Sequence, residues 1–194
     1  MLDTVLMDEV NATDAPSRFA APAPASLEAF LAQIGPRAFR FAEASLRQRE
    51  DALDAVQDAM LKMLTYRRHP PADWTSLFWR ILRNTIVDVR RRHLVRLRWL
   101  LPQADGDSGN PDWQAHPHES GTPERDHDGR QAYARTLQAL RALPARQREA
   151  FVLRIFEELD VPQTAAIMGC SEGSVKTHLS RARAALQKQL EDWR

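Results

Sequence analysis

Cysteine is nearly absent. Cys170 stands alone among 194 residues, which excludes an internal disulfide framework and any cysteine-cluster zinc site and suits a reducing compartment. Also lacking is any apolar run near the roughly 20 residues that a bilayer-spanning helix needs, so no direct membrane insertion is expected. The N-terminus carries acids and has no basic segment leading into an apolar one. No secretory signal is therefore expected, and the chain reads as cytoplasmic. Alternating apolar and polar residues, the mark of a half-buried strand, are missing throughout. No cluster of acids, histidines or cysteines has metal-ligand spacing, so neither metal nor cofactor is expected.

Net charge is slight, at +1, yet the average conceals a segregation. Arg80, Arg83, Arg90, Arg91, Arg92, Arg96 and Arg98 face the single acid Asp88 in one stretch. Asp105, Asp107, Asp112, Glu119, Glu124, Asp126 and Asp128 face Arg125 alone in the next. Blocks of opposite sign imply separate electrostatic roles.

What remains is helical. Residues 1–25, ending in "AAPAPAS", read as a disordered tail. Ser26 caps "SLEAFLAQI", whose Leu27, Phe30, Leu31 and Ile34 form one face; Gly35-Pro36 is expected to break that helix and start another. "DALDAVQDAMLKML" places Leu53, Val56, Met60, Met63 and Leu64 on one stripe and Asp51, Asp54, Asp58 and Lys62 off it. "RRHPPAD" reads as a loop, and a helix is expected from Thr75 to about Leu97. Periodicity then disappears, and 98–127 reads as an acidic linker. Helices return near Asp128 with Leu137, Leu140 and Leu143, and again after Pro144 with Phe151, Val152, Ile155 and Leu159. The fold class is all-α: two small helical domains, 26–97 and 128–194, joined by a flexible linker.

The last helices carry the most specific signal. Asp160 and Gln163 make a capping box for "VPQTAAIM", in which Ala165, Ala166 and Ile167 keep the inner surface small. Gly169 can adopt positive φ in the following turn, and Ser171 caps the next helix. Val175, Leu179, Ala182 and Leu186 then point inward at i, i+4, i+7 and i+11. This is a helix-turn-helix. Lys176, Thr177, Ser180 and Arg181 face outward where such motifs reach base edges. Gly173, Ser174, His178 and Arg183 are placed for phosphates, helped by the positive end of the helix dipole.

The stretch "LPARQREAFVLRIFEELDVPQTAAIMGCSEGSVKTHLSRARAAL" resembles region 4 of sigma-70-type RNA polymerase sigma factors of the extracytoplasmic-function (ECF) group. The match rests on Leu143-Pro144, Arg146-Gln147-Arg148-Glu149, Gly173-Ser174-Val175-Lys176 and Arg181-Ala182-Arg183. The resemblance implies that this helix recognises the promoter −35 element. "DALDAVQDAMLKML" is similar to the family's region 2 segment that binds polymerase. That implies contacts to the largest subunit's clamp helices from Asp54, Val56, Gln57, Asp58 and Leu61, and to the flap from the rear domain. "DWTSLFWRILRNTIVDVRRR" resembles the segment that melts the −10 element and captures one strand. Such a task needs aromatic faces for unstacked bases and guanidinium groups along phosphates. Trp74, Phe78 and Trp79 then supply rings, Arg80, Arg83, Arg90, Arg91 and Arg92 supply charge, and Asn84 lies at the family's "RN" pair. Three aromatics within six residues cannot all face one side, so some of Trp74, Phe78 and Trp79 must fill the core. The chain departs from the family at Pro162-Gln163, at Leu77, where Trp is usual, and in the loop before Trp74, which bears on −10 preference.

The resemblance thus implies a promoter-specificity subunit of core RNA polymerase, bound to promoter DNA, restrained by an anti-sigma factor, and performing no covalent chemistry. A stand-alone helix-turn-helix regulator is the alternative, and it leaves the arginine-rich helix after Trp74 without a task. A DNA-cleaving enzyme is a remoter one, lacking a metal-binding set.

Overall fold

A computed structural model describes residues 24–100 and 127–191. The tail and nearly all of the linker expected from the sequence lie outside the described residues. Within them every regular element is helical. The helices are α1 (Leu27–Ser45), α2 (Arg49–Leu64), α3 (Pro71–Leu100), α4 (His127–Ala142), α5 (Ala145–Phe151), a π-helical segment (Val152–Phe156), α6 (Val161–Met168) and α7 (Glu172–Glu191).

Helix α1 begins as its cap dictates, with the Ala29 amide donating to Ser26 Oγ at 3.2 Å. It does not break at Gly35-Pro36. The helix runs through Pro36, because Leu27, Phe30, Ile34, Ala38, Phe41 and Ala42 form one unbroken buried stripe on both sides of it. Burial of that stripe outweighs one forfeited backbone hydrogen bond. Gly35 serves packing here, since a Cβ would sit 3.1 Å from Met60 Cε.

In α2 the buried face is Ala52, Ala55, Val56, Ala59 and Met63. Leu53 and Leu64, expected inside, are 42% and 45% exposed. Small residues at the seam let α2 lie close to α1 and α3, and that closeness turns the leucines outward. Helix α3 starts at Pro71, four residues ahead of expectation, because proline is tolerated in the first helical turn. It packs Trp74, Leu77, Phe78, Trp79, Leu82, Ile86 and Val89 inward. Phe30 meets Trp74 and Phe78 with ring centroids 5.8 and 6.1 Å apart, and Phe41 meets Trp79 at 5.5 Å.

The rear helices form a second bundle, with α7 against α5 and α6. The capping box at α6 is complete, Asp160 and Gln163 each bonding the other's backbone amide. Gly169 ends α6 at φ 62°. Ser171 Oγ accepts from the Ser174 amide at 3.2 Å to open α7. Ala166 is exposed rather than inward, and Thr164, Ala165, Ile167 and Met168 form the buried face. The two bundles touch: α6 lies on α3, and α4 lies on α1.

Candidate nucleic-acid interface

Helix α7 presents a sharply two-sided surface. Val175 and Ala182 are fully buried and Leu186 nearly so, with Leu179 packed beside them. Opposite them Gly173, Lys176, Thr177, Ser180 and Arg181 are exposed, while Ser174, His178 and Arg183 are half-buried at the edges. Among the described residues no ion pair engages Lys176, Arg181 or Arg183, so their charges are available to phosphate or base edges. Ser174 is partly committed, its hydroxyl lying 2.9 Å from that of Ser171. The Thr177 hydroxyl donates to the Gly173 carbonyl at 2.9 Å and keeps an acceptor free.

On α3, Arg80, Asn84 and Arg91 are exposed and Arg90 is half-buried. Residues 80, 84, 87 and 91 share one strip at helical spacing. Arg83 lies beside it, its Nη1 donating to Asn84 Oδ1 at 3.3 Å. The rings are another matter. Trp79 is wholly buried and Trp74 is 5% exposed, which corrects the expectation that both offer stacking faces. Trp79 sits in the middle of the bundle. Trp74 faces inward too, and its indole N–H donates to the His69 carbonyl at 3.0 Å, closing the loop before α3. The spacing of inward residues along α3 leaves no outward register for either ring.

On α2, Asp54, Gln57 and Asp58 are exposed, and Leu61 is 63% exposed. With Leu53 they make a mixed apolar and acidic face. Val56, expected on this face, is 7% exposed and belongs to the core. Its position between Ala52, Ala55 and Ala59 turns it inward.

Among the described residues no group of His, Cys, Asp or Glu is arranged to hold a metal, and no helix is long and apolar enough to cross a membrane.

The family described as Sigma-70, region 4 matches residues 133–186. The ECF RNA polymerase sigma factor SigM of Mycobacterium tuberculosis is 32% identical over 154 residues, covering 78% of this chain and 70% of that one. The chain belongs to the ECF RNA polymerase sigma factors. RNA polymerase sigma-H factor of Pseudomonas aeruginosa is a further relative of this sigma factor, 28% identical over 145 residues, 73% of this chain and 74% of that protein. The solved structure of the sigma factor RpoE, in complex with the anti-sigma factor NepR from Bartonella quintana, superposes with a TM-score of 0.61 at 25% identity. It covers 84% of this sigma factor and 96% of that chain.

Sequence reasoning missed what the Arg146–Glu149 segment does. Arg148 is 8% exposed. Its Nε donates to the Leu140 carbonyl at 2.8 Å, and its Nη2 to Leu143 at 2.8 Å and Arg141 at 3.2 Å. Its Nη1 reaches the Ala44 carbonyl of α1 at 2.7 Å. These acceptors lie at the C-terminal ends of α4 and α1, where carbonyls lack helical partners and the dipole favours a cation. Burial pushes the guanidinium down to about 10, with Arg90 adding repulsion, which leaves it charged near neutrality. Glu149, 6% exposed, places Oε2 3.2 Å from Arg83 Nε and 3.4 Å from Arg146 Nη1. The signal was present: Arg148 and Glu149 share their helix face with Ala145, Val152 and Leu153, at i−3 and i+4, in a segment that had to be buried.

The π segment was likewise not foreseen. It ends with the Glu157 amide bonding the Val152 carbonyl at 3.1 Å, and Glu158 follows at φ 53°. The Arg154 guanidinium donates to the Leu159 carbonyl and holds that turn. The extra residue aims Phe156 outward, 50% exposed, and carries Glu157 to Arg37 of α1 at 2.7 Å. A cleft of about 340 Å³ lies there, between α1, α4 and the π segment.

Proposed function

We propose that this sigma factor docks on core RNA polymerase through α2, opens the −10 region along α3 and reads the −35 element with α7. The observation that carries the proposal is α7: a helix-turn-helix reading helix whose outward Lys176, Thr177, Ser180 and Arg181 are fixed by an inward Val175, Leu179, Ala182 and Leu186. Gly173, Ser174, His178 and Arg183 flank them as phosphate contacts.

Asp54, Gln57, Asp58 and Leu61 form the polymerase-facing surface, an acidic and apolar face complementary to a basic coiled coil such as the clamp helices. The rear bundle contacts the flap. On α3, Arg80, Arg83, Asn84, Arg90 and Arg91 hold the captured strand. Melting follows from differential binding, because strand contacts stabilise the open state over duplex. No covalent step is required, so the protein acts as a specificity subunit rather than an enzyme.

The functional units are 26–97 and 128–194, with 98–127 linking them. The partners are core polymerase, promoter DNA and an anti-sigma factor, the last supported by the complex of the RpoE relative with its anti-sigma factor. The site of action is the cytoplasm, where polymerase and chromosome are.

The test is run-off transcription with sigma-free core enzyme. Lys176→Ala with Arg181→Ala is expected to lower promoter-specific initiation by at least about 30-fold, since each base-edge contact is worth about 1–3 kcal/mol. Co-elution with core should persist. Equal loss of both activities would show that polymerase binding has been assigned to the wrong bundle.

A further inference from the structure

The cleft beside the π segment takes no part in the docking, strand-holding or reading surfaces. Its volume, about 340 Å³, is that of a small-molecule site, and such sites are mostly apolar with a few placed polar groups. Leu137, Leu140, Val152 and the rings of Phe41 and Phe156 supply the apolar walls.

Three features of the chain converge on this place. A single π turn continuing an α-helix is rare and recurs at functional sites. Glu158 follows it at φ 53°, a strained backbone for a residue with a side chain. Between them Glu157, whose side chain is 3% exposed, is pushed up to about 7 by burial, a perturbation that clusters at functional sites. Ending a helix requires none of these, as the plain glycine turn after α6 shows.

Charge at the cleft is out of balance. Its charged lining residues are Arg37, Arg40 and Glu157. Arg37 Nη2 holds Glu157 Oε2 at 2.7 Å. Arg40, about one turn further along α1, is exposed and has no ion pair or hydrogen bond among the described residues. The Tyr133 hydroxyl is already committed to Glu43. One cation is therefore left over at the mouth of an apolar hollow.

We propose that this cleft binds a small apolar carboxylic acid, its hydrocarbon part among Phe41, Leu137, Leu140, Val152 and Phe156 and its carboxylate on Arg40. A guanidinium stays charged and pairs with a carboxylate through two parallel N–H donors. An amide of the same shape keeps the apolar burial and loses that pair. Binding stands apart from the sigma reading; any effect of the acid on transcription rests on it.

The probes are 2-naphthoate and 2-naphthamide, titrated calorimetrically into the full chain free of polymerase. Wild type is expected to bind the acid at least about tenfold more tightly than the amide, the scale of one charged hydrogen bond. Arg40→Gln, at an exposed position, should stay folded and abolish that preference. Phe156→Ala should weaken both probes severalfold. A folded wild type that binds neither probe up to about 1 mM overturns the site. So does acid binding that both variants leave unchanged, which places the acid elsewhere. A wild type that dimerises until Phe156 is replaced, and ignores the acid, overturns it in favour of a second copy in the cleft. Run-off transcription keeps the two readings apart. Transcripts without acid binding sink the site alone; acid binding as described without transcripts sinks the sigma reading alone.

Discussion

Arg148 offers the sharpest test of how the rear bundle is held. Replacing it with alanine leaves the Leu140, Arg141, Leu143 and Ala44 carbonyls without their shared donor. Hydrogen bonds from a charged donor contribute about 1.5–3 kcal/mol each, so four sum to about 8 kcal/mol. Burying the cation works against this. A guanidinium brought from 12.5 to about 10 by burial carries a penalty of about 3 kcal/mol, at about 1.4 kcal/mol per unit. The net loss expected for Arg148→Ala is then about 3–5 kcal/mol, the scale of breaking a buried charged network. That is a large share of the 5–15 kcal/mol typical of a domain. Urea unfolding of the full chain, followed by far-UV circular dichroism, reads it as a lower midpoint or as early loss of the rear helices. Arg148→Lys keeps the charge, but its compact ammonium cannot span carbonyls on two helix ends, so more than half of the loss should remain. An Arg148→Ala protein within about 1 kcal/mol of wild type would refute the reasoning.

Two further outcomes are expected. Leu61 is 63% exposed, so Leu61→Asp should change stability by no more than about 0.5 kcal/mol while weakening co-elution with core polymerase; intact co-elution would remove Leu61 from the docking face. Burial pushes the Glu157 carboxyl up to about 7 despite Arg37 beside it, so the folded state holds a proton that the unfolded chain releases near 4.5. The stabilisation from that proton is fully present below about 4.5 and is lost as pH rises towards 7, an effect on the order of 1–3 kcal/mol. Glu157→Gln should flatten that part of the stability–pH curve, and an unchanged curve would show that another group titrates there.

Local chemistry was legible wherever it needed only neighbours in sequence. The Ser26 and Ser171 caps, the Asp160–Gln163 box and the left-handed Gly169 each follow from a few adjacent residues, and all are present. The inward set Val175, Leu179, Ala182 and Leu186 follows from helical spacing alone, and with it the outward cationic face. Prediction failed where two elements compete for one residue. Pro36 stays inside a helix because of what α1 packs against. Leu53 turns outward because alanines elsewhere on α2 make the closer seam. Trp79, attractive as a base-stacking ring, is claimed by Phe41 and Phe78.

By itself, then, the chain's residue order determined an all-helical protein with a helix-turn-helix, an exposed cationic face on its second helix and an arginine-rich companion helix. Those depend on propensity, capping and periodicity, which act within a few turns. Only tertiary structure decided that Arg148 ties two helix ends together, that Glu149 holds Arg83 across 66 positions, and that the aromatics of α3 are core. Such contacts depend on which surfaces meet, and spacing along one helix carries no information about its partner.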